Sequence, residues 1–287
     1  MKKTFAIMTA VVVAAVFLTS CEKEGQYAPK QKISEIKHIR YHELPSGTTI
    51  SNNEREVWTW NGKVLSYIDY YDAKEDRVAH TLFRYDDKNR ITEINYGSTT
   101  AKFDYDDNVI DEIKVLDENG VTIAKFDLEH KGNTVTSIDV TLNDGKSLTT
   151  LPFNPLNFFM PEDAADKVME CSRAKGTTHV TLTWTGKNVT AMELSGAYNI
   201  SYKWTYDGKN NPYKGLFDME ALDMGVIFSA NNVVRQVLTE GGSTFTTDYT
   251  YTYDGKNCPV EKSWKSEIFL PEFEVSVPVK CVDEFHY

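Results

Sequence analysis

The chain has little of what covalent or metal-centred chemistry is built from. Four cysteines and six histidines are spread over 287 residues, and none of them falls at a zinc or redox spacing. No Gly-Xaa-Ser-Xaa-Gly elbow is present, and no cysteine has a local histidine partner, so nucleophilic catalysis has no motif to stand on. No nucleotide or cofactor motif is present either. Lysine and arginine are not clustered and the formal charge is -11, which leaves counterion release from nucleic acid or from an anionic lipid face without a driving patch. Beyond Leu18 no apolar run approaches the roughly 20 residues that a membrane-spanning helix needs. These absences point away from a metalloenzyme, a nucleic-acid binder and a helical membrane protein, and make an enzyme of any kind the lesser expectation.

What the chain does have begins at its start. Lys2 and Lys3 precede an apolar and small-residue run from Phe5 to Leu18, followed by Thr19, Ser20 and Cys21. Leu18-Thr19-Ser20-Cys21 resembles a bacterial lipobox, and the resemblance implies that the Cys21 thiol takes a diacylglycerol and becomes the first mature residue. Residues 1–20 then form a signal peptide and 21–31 a polar tether, Glu22-Lys23-Glu24-Gly25 at its head. At about 0.8 kcal/mol per buried methylene, several acyl chains on Cys21 give durable attachment where one gives only marginal binding. Cleavage removes two lysines and no acid, taking the charge from -11 to -13. The acids beside Cys21 resemble the export signal of surface lipoproteins in Bacteroidetes, which implies an outer-membrane anchor facing the cell surface, with the periplasmic face as the alternative. Of the remaining cysteines, Cys258 and Cys281 fall in a strand-rich tail and either pair across neighbouring strands or stay, with Cys171, as buried thiols.

Residues 32–287 read as a single β-rich domain. One phrase recurs through it: two aromatic or apolar residues two apart, a polar turn, then an apolar residue with another soon after. It appears as Trp58, Trp60, Asn61, Gly62, Val64 and Ile68; as Phe83, Tyr85, Asp86, Ile91 and Ile94; and as Phe103, Tyr105, Asp106, Ile110 and Ile113. Leu182 and Trp184, then Tyr202, Trp204 and Tyr206, and finally Tyr249, Tyr251 and Tyr253 open later copies. Residues i and i+2 share one face of a strand, while the charged residue between them faces the other way. Each phrase is therefore a hairpin. Asn61-Gly62, Asn119-Gly120, Asp144-Gly145, Asp207-Gly208 and Asp254-Gly255 predict two-residue type I′ turns, which need positive φ. Copies start about 20–25 residues apart, so a dozen or more strands fit.

The rhythm breaks near 151–175. Leu151 to Pro161 carries three prolines, and Pro161-Glu162-Asp163 is a helix start, with proline at the first position and acids in the first turn. A second short helical or irregular piece is expected from Pro212 to Met224. The fold class is thus all-β, with antiparallel hairpin repeats forming a curled sheet or barrel and one or two short helices.

Ile33, Ile36 and Ile39, the Trp58 to Ile113 phrases and the Tyr-Asp-Gly-Lys-Asn-Xaa-Pro phrases resemble Bacteroidetes lipoproteins of unknown function, a family described as having a porin-like fold. They are more remotely similar to the Tyr-Asp repeats of bacterial surface and toxin shells. The shared motif is made of turn and core residues, so the resemblance implies architecture and location without an activity. A spanning pore is the lesser expectation, because the strands look shorter than the roughly 9–11 residues a membrane needs and charges punctuate their apolar faces. A water-soluble barrel, aromatic inside and charged outside, fits better.

Candidate chemistry is sparse. His38 and His42 are four apart, but Pro45 and the alternation favour a strand over a metal-binding helix, and surface histidines are the expectation. The acids of Asp69 to Asp76 and Asp104 to Asp107 read as turns; Val109 stands where a calcium loop needs glycine. Paired carboxylates for glycan hydrolysis have no sequence that singles them out among 42 acidic residues. Trp60, Trp184 and Trp204 share a repeat position with Tyr85, Tyr105 and Tyr251, which reads as core. Trp58 and Trp264 are left as candidate platforms for stacking sugar rings. The functional expectation is a non-catalytic binding or interaction module for a glycan or an envelope partner, with a glycan hydrolase or a purely structural protein as alternatives.

Overall fold

The computed structural model describes residues 31–43, 47, 49–107, 109–132, 134–143, 160, 162–194, 200–213, 229–270 and 275–287. Cys21, the leader, the tether up to residue 30, the turn expected at Asp144-Gly145 and most of the irregular piece expected after Pro212 lie outside them.

Among the described residues, alternation of apolar and polar residues produces 17 strands. They are β1 (Glu35–Glu43), β2 (Thr49–Asn61), β3 (Val64–Tyr71), β4 (Arg77–Tyr85), β5 (Ile91–Tyr96), β6 (Thr99–Asp106), β7 (Val109–Leu116), β8 (Thr122–Lys131) and β9 (Thr134–Leu142). After helix α1 (Glu162–Lys175) come β10 (Thr177–Thr185), β11 (Asn188–Leu194), β12 (Ile200–Tyr206), β13 (Val233–Glu240), β14 (Ser243–Asp248), β15 (Thr250–Tyr253), β16 (Pro259–Leu270) and β17 (Val275–His286). Chain neighbours other than β14 and β15 pair antiparallel, β9 joins β10 across the helix, and β1 pairs with both β2 and β17. The sheet therefore closes on itself. At one place the ring is imperfect: β14 bonds to β13, β15 bonds to β16, and Tyr249 joins the two halves. Among the described residues a wedge is left there between β14 and the far part of β16.

Register puts the apolar residues inside. Phe83, Ile94, Ala101, Val115, Ala124 and Leu142 face one another across β4 to β9, as do Phe103, Ile113, Phe126 and Val140, and all are buried. The opposite face carries Arg84, Glu93, Lys102, Lys114 and Lys125 in one row and Asp104, Glu112, Asp127, Asp139 and His179 in the next. Glu112 binds both Lys114 and Lys125, the latter at 2.7 Å, and Asp139 binds His179 at 2.7 Å. A lysine or arginine facing lipid at mid-membrane costs about 2–4 kcal/mol, so this wall is built for water. Strand length does not make that distinction. β8 has 10 residues, β2 has 13, and β16 and β17 have 12 each, long enough to span. Nine of the 17 described strands, β3, β5, β6, β7 and β11–β15, have 8 residues or fewer, so the expectation of short strands holds for about half of the sheet.

The recurring Asp has a definite task. Asp72, Asp86, Asp117 and Asp254 each take the N–H of the residues two and four further on at Oδ1, at 2.8–3.0 Å. The fourth turn residue is left-handed: Glu75, Asn89, Gly120 and Asn257 have φ of 65°, 59°, 74° and 63°. These are longer Asp-capped turns, so the two-residue expectation is corrected at Asn119-Gly120 and Asp254-Gly255; at Asn61-Gly62 the loop is two residues long but shifted by one, with Gly62 and Lys63 between the paired Asn61 and Val64 and only Gly62, at φ 57°, left-handed. At Asp207 the side chain caps Lys209 N–H, but the backbone N–H goes to Asn232, so the chain leaves the repeat.

The second aromatic of the phrase also has a task. Bulges fall immediately before Trp60, Tyr85, Tyr105, Trp184 and Tyr206. Each of these rings donates to a carbonyl at or just before the start of the preceding strand: Trp60 to Ile33 at 2.7 Å, Tyr85 to Leu65 at 2.8 Å, Tyr105 to Ile91 at 2.7 Å, Trp184 to Val135 at 2.7 Å, and Tyr206 to Val189. Tyr and Trp interchange because both carry a donor at the far end of a flat apolar body. Trp204 is not in this set, contrary to its sequence alignment; it holds the inward position before it and donates to Gln236 at 2.8 Å.

Helix α1 forms where Pro161 and two acids predicted it. Ala164, Ala165, Val168, Met169 and Cys171 are buried as it packs on β9 and β10. Gly176, at φ 83°, ends it by returning its N–H to Ser172 at 2.7 Å.

Candidate functional site

Where β1, β2, β16 and β17 meet, the inward register carries charge in place of apolar side chains. His38 lies opposite Asp283, Asp283 opposite Lys262, and Cys281 opposite both Arg40 and Trp264. Glu56, Lys262 and Asp283 are 0–1% exposed. His38 Nδ1 is 2.9 Å from Asp283 Oδ1, and its Nε2 is 3.1 Å from Glu56 Oε1. Arg40 donates to the same Asp283 oxygen at 3.0 Å, and Trp58 Nε1 donates to the second Glu56 oxygen at 2.9 Å. Lys262 Nζ stands 4.2 Å from the centroid of Trp264 and 4.6 Å from that of Tyr249.

Burial on its own would strip His38 of its proton, but the Asp283 and Glu56 carboxylates outweigh it and raise the imidazole well above its ordinary pKa. Burial likewise works against the Asp283 charge, and His38, Lys262 and Arg40 overcome it, holding the carboxyl down at about 2. A protonated imidazole donating to two carboxylates has no lone pair for a general base, and a carboxyl held ionised is no general acid. The network is an ion cluster that ties first strands to last.

Outside it, at the head of the wedge, is a cleft of about 420 Å³. Thr246, Thr247, Thr250 and Ser263 line it with hydroxyl-bearing side chains, and Lys265 and Lys280 line it too, the Lys280 ammonium standing 5.8 Å from the centroid of the Tyr41 ring on β1. Asp248 also lines it, but Arg235 holds that carboxylate through bonds of 2.6 and 3.2 Å. Trp264 forms part of the lining and is 6% exposed.

The two tryptophans singled out in the sequence are thus brought to opposite ends of one network, but neither offers an open ring face. Trp58 is 4% exposed and packs against Trp60 and Tyr213, while the Trp264 ring lies beneath Arg40 and Lys262. His38 is buried, not a surface histidine. Among the described residues no group of three or more His, Cys, Asp or Glu is placed to hold a metal. The Asp69 carboxylate is occupied by His80 at 2.7 Å and Arg77 at 3.1 Å, and Asp104 binds Lys114. Cys171, Cys258 and Cys281 are buried thiols with no disulfide among them. Register explains it: Trp264 pairs with Cys281, so Cys258 stands six residues away along the strand, about 20 Å at 3.3 Å per residue, beyond bridging reach. Sequence reasoning set His38 aside as a surface histidine and missed Glu56, Lys262 and Asp283. The signal was there, as charges in phase with Ile36, Trp58, Trp264 and Phe285.

With this geometry in place the solved structures can be compared. A porin-like protein from Bacteroides uniformis superimposes with a TM-score of 0.51 and 12% identity over 90% of this chain and 98% of its own. The fold is porin-like. A second porin-like protein, from Bacteroides vulgatus, gives a TM-score of 0.44 and 10% identity over 89% of this chain and 98% of its own. No protein-family model and no curated protein matches the sequence. At such identity the porin-like neighbour speaks for the barrel and not for what passes through or binds to it.

Proposed function

We propose that this protein is an envelope lipoprotein, held to the outer membrane by lipid on Cys21 and displayed at the cell surface, whose porin-like barrel is a non-catalytic binding module. Its ligand site is the seam cleft. The observation that carries this reading is the contrast across the wall at Trp264. Behind it, His38, Glu56 and Asp283 are locked to one another; in front of it, hydroxyl-bearing and lysine side chains line a cleft of about 420 Å³. Polar groups facing such a cleft suit a small polar ligand such as a glycan. The hydrolase alternative calls for a pair of carboxylates with one raised pKa, and the buried pair here is pinned through His38 with Asp283 lowered. The Bacteroides neighbour named porin-like adds support for an envelope setting, and the charged outer rows favour tethering over embedding.

A glycan array probed with the purified protein tests the binding reading. Retained glycans should be lost in Thr250→Tyr, which fills the cleft from an exposed position while leaving the melting temperature unchanged. An array blank for the natural protein overturns it. Cys21→Ser tests the anchor: lipid labelling in the producing cell should disappear.

A further inference from the structure

We propose that the seam cleft takes an anionic saccharide, one bearing carboxylate or sulfate, and that Lys265 and Lys280 read its charge. The inference rests on the binding reading of the same cleft and adds the ligand class.

Lys265 and Lys280 are direct cross-strand partners on β16 and β17. Like charges so placed sit with Cβ atoms about 4.5–5.5 Å apart and repel. Elsewhere on the wall the same arrangement is neutralised: Lys114 faces Lys125, and Glu112 binds both. No described carboxylate pairs with Lys265 or Lys280. Asp248, the carboxylate in the cleft, is engaged in two bonds by Arg235. Behind the wall, Arg40, His38 and Lys262 stand against Glu56 and Asp283, three cations to two anions, so the buried network adds a further positive charge. In a chain of net charge -11 this is a local reversal of sign, and it faces a cavity.

The rest of the lining chooses among anions. Thr246, Thr247, Thr250 and Ser263 supply hydroxyl-bearing side chains to the lining, which suits a polyol. Lysine binds a single charge without the planar fork of arginine, so carboxylate and sulfate are both accommodated. The volume of about 420 Å³ admits one or two sugar rings. An acidic peptide would instead need apolar pockets for alternate side chains, and the cleft has none beyond Trp264.

The test measures binding of the purified protein to an oligogalacturonate trimer, a κ-carrageenan disaccharide, which carries sulfate and no carboxylate, and neutral maltotriose at two salt concentrations. The two acidic probes distinguish carboxylate from sulfate. Binding of either at least tenfold tighter than maltotriose, weakened by salt and reduced about threefold by Lys265→Gln or Lys280→Gln and about tenfold by both, supports the inference. Removing the repulsion should leave the double variant melting no lower than the natural protein, so lost binding is not unfolding. Equal binding of all three, abolished by Thr250→Tyr, overturns the charge inference and leaves the binding reading standing. Failure of every saccharide, here and on the array, overturns both; capture of a poly-aspartate peptide in their place overturns the saccharide class.

Discussion

His38 in the first strand and Asp283 in the last are hydrogen-bonded at 2.9 Å, and Glu56 of the second strand holds the other imidazole nitrogen at 3.1 Å. The first two strands and the last are thereby fastened at the point where the sheet closes. His38→Ala leaves two buried carboxylates short of a partner and should destabilise the protein by about 3–5 kcal/mol, the cost of breaking a buried ion pair from one side. Urea unfolding followed by tryptophan fluorescence measures it.

The same pair sets a pH window. His38 is raised above its unfolded pKa, so its contribution is complete below about pH 6.5 and is lost as pH rises through the higher folded value. Asp283 is depressed to about 2, so its contribution is complete above about pH 3.9 and disappears as pH falls toward the folded value. The cluster is therefore fully stabilising between about pH 4 and 6.5. Between pH 6 and pH 9 the urea midpoint of the natural protein should fall more steeply than that of His38→Gln. Parallel slopes would assign the loss to other groups.

Tyr105 shows what the repeated aromatic contributes. Its hydroxyl donates to Ile91 at 2.7 Å while its ring lies under Arg90, 4.2 Å from the guanidinium carbon. Tyr105→Phe keeps the ring and removes the donor, and should cost about 1–2 kcal/mol because the carbonyl is left short of a bond. Tyr85→Phe should cost a similar amount, and the two should add, since each ties a different pair of strands. A thermal melt of both single variants and the double checks this.

The Asp-capped turns make a conformational prediction. Asn89 has φ 59°, where glycine is at ease and a β-branched residue is strained. Asn89→Gly should leave stability within about 0.5 kcal/mol, and Asn89→Val should lower it by about 1–2 kcal/mol. Asp86→Ala removes the acceptor for Lys88 and Arg90 N–H and should cost a similar amount. Chemical denaturation of the three variants separates backbone strain from lost hydrogen bonds.

Hairpins, the start of α1 and the division into inner and outer faces were legible because they are local: alternation, an Asp or Gly at a turn, a proline before acids. The turn type was misjudged because Asp254-Gly255 has the composition of a two-residue turn, and only the carboxylate's capture of Lys256 and Cys258 N–H makes it longer. Closure was not legible. The pairing of Ile36 with Phe285 joins residues from opposite ends of the chain, and no local pattern encodes a partner so distant. The seam residues were hidden for the same reason. Lys262 and Asp283 look like ordinary strand charges until register sets them opposite each other and inward, where each explains the other.

The last prediction concerns how the barrel meets water. A porin that spans a membrane turns apolar residues to lipid and polar ones to its lumen; here Phe103, Ile113 and Phe126 are inside, and Lys102, Lys114 and Lys125 stand on the other face. Burying those lysines and Arg84 in hydrocarbon would cost about 2–4 kcal/mol each near the midplane. The chain from Glu22 onward, without leader or lipid, should therefore fold and remain monodisperse in buffer free of detergent, with the β-rich circular dichroism of 17 strands. Arg84→Leu, Lys102→Leu and Lys114→Leu together should make it prone to associate. A protein that stays dispersed only in detergent micelles, and conducts ions when added to a planar bilayer, would reverse the assignment of faces and make it a pore.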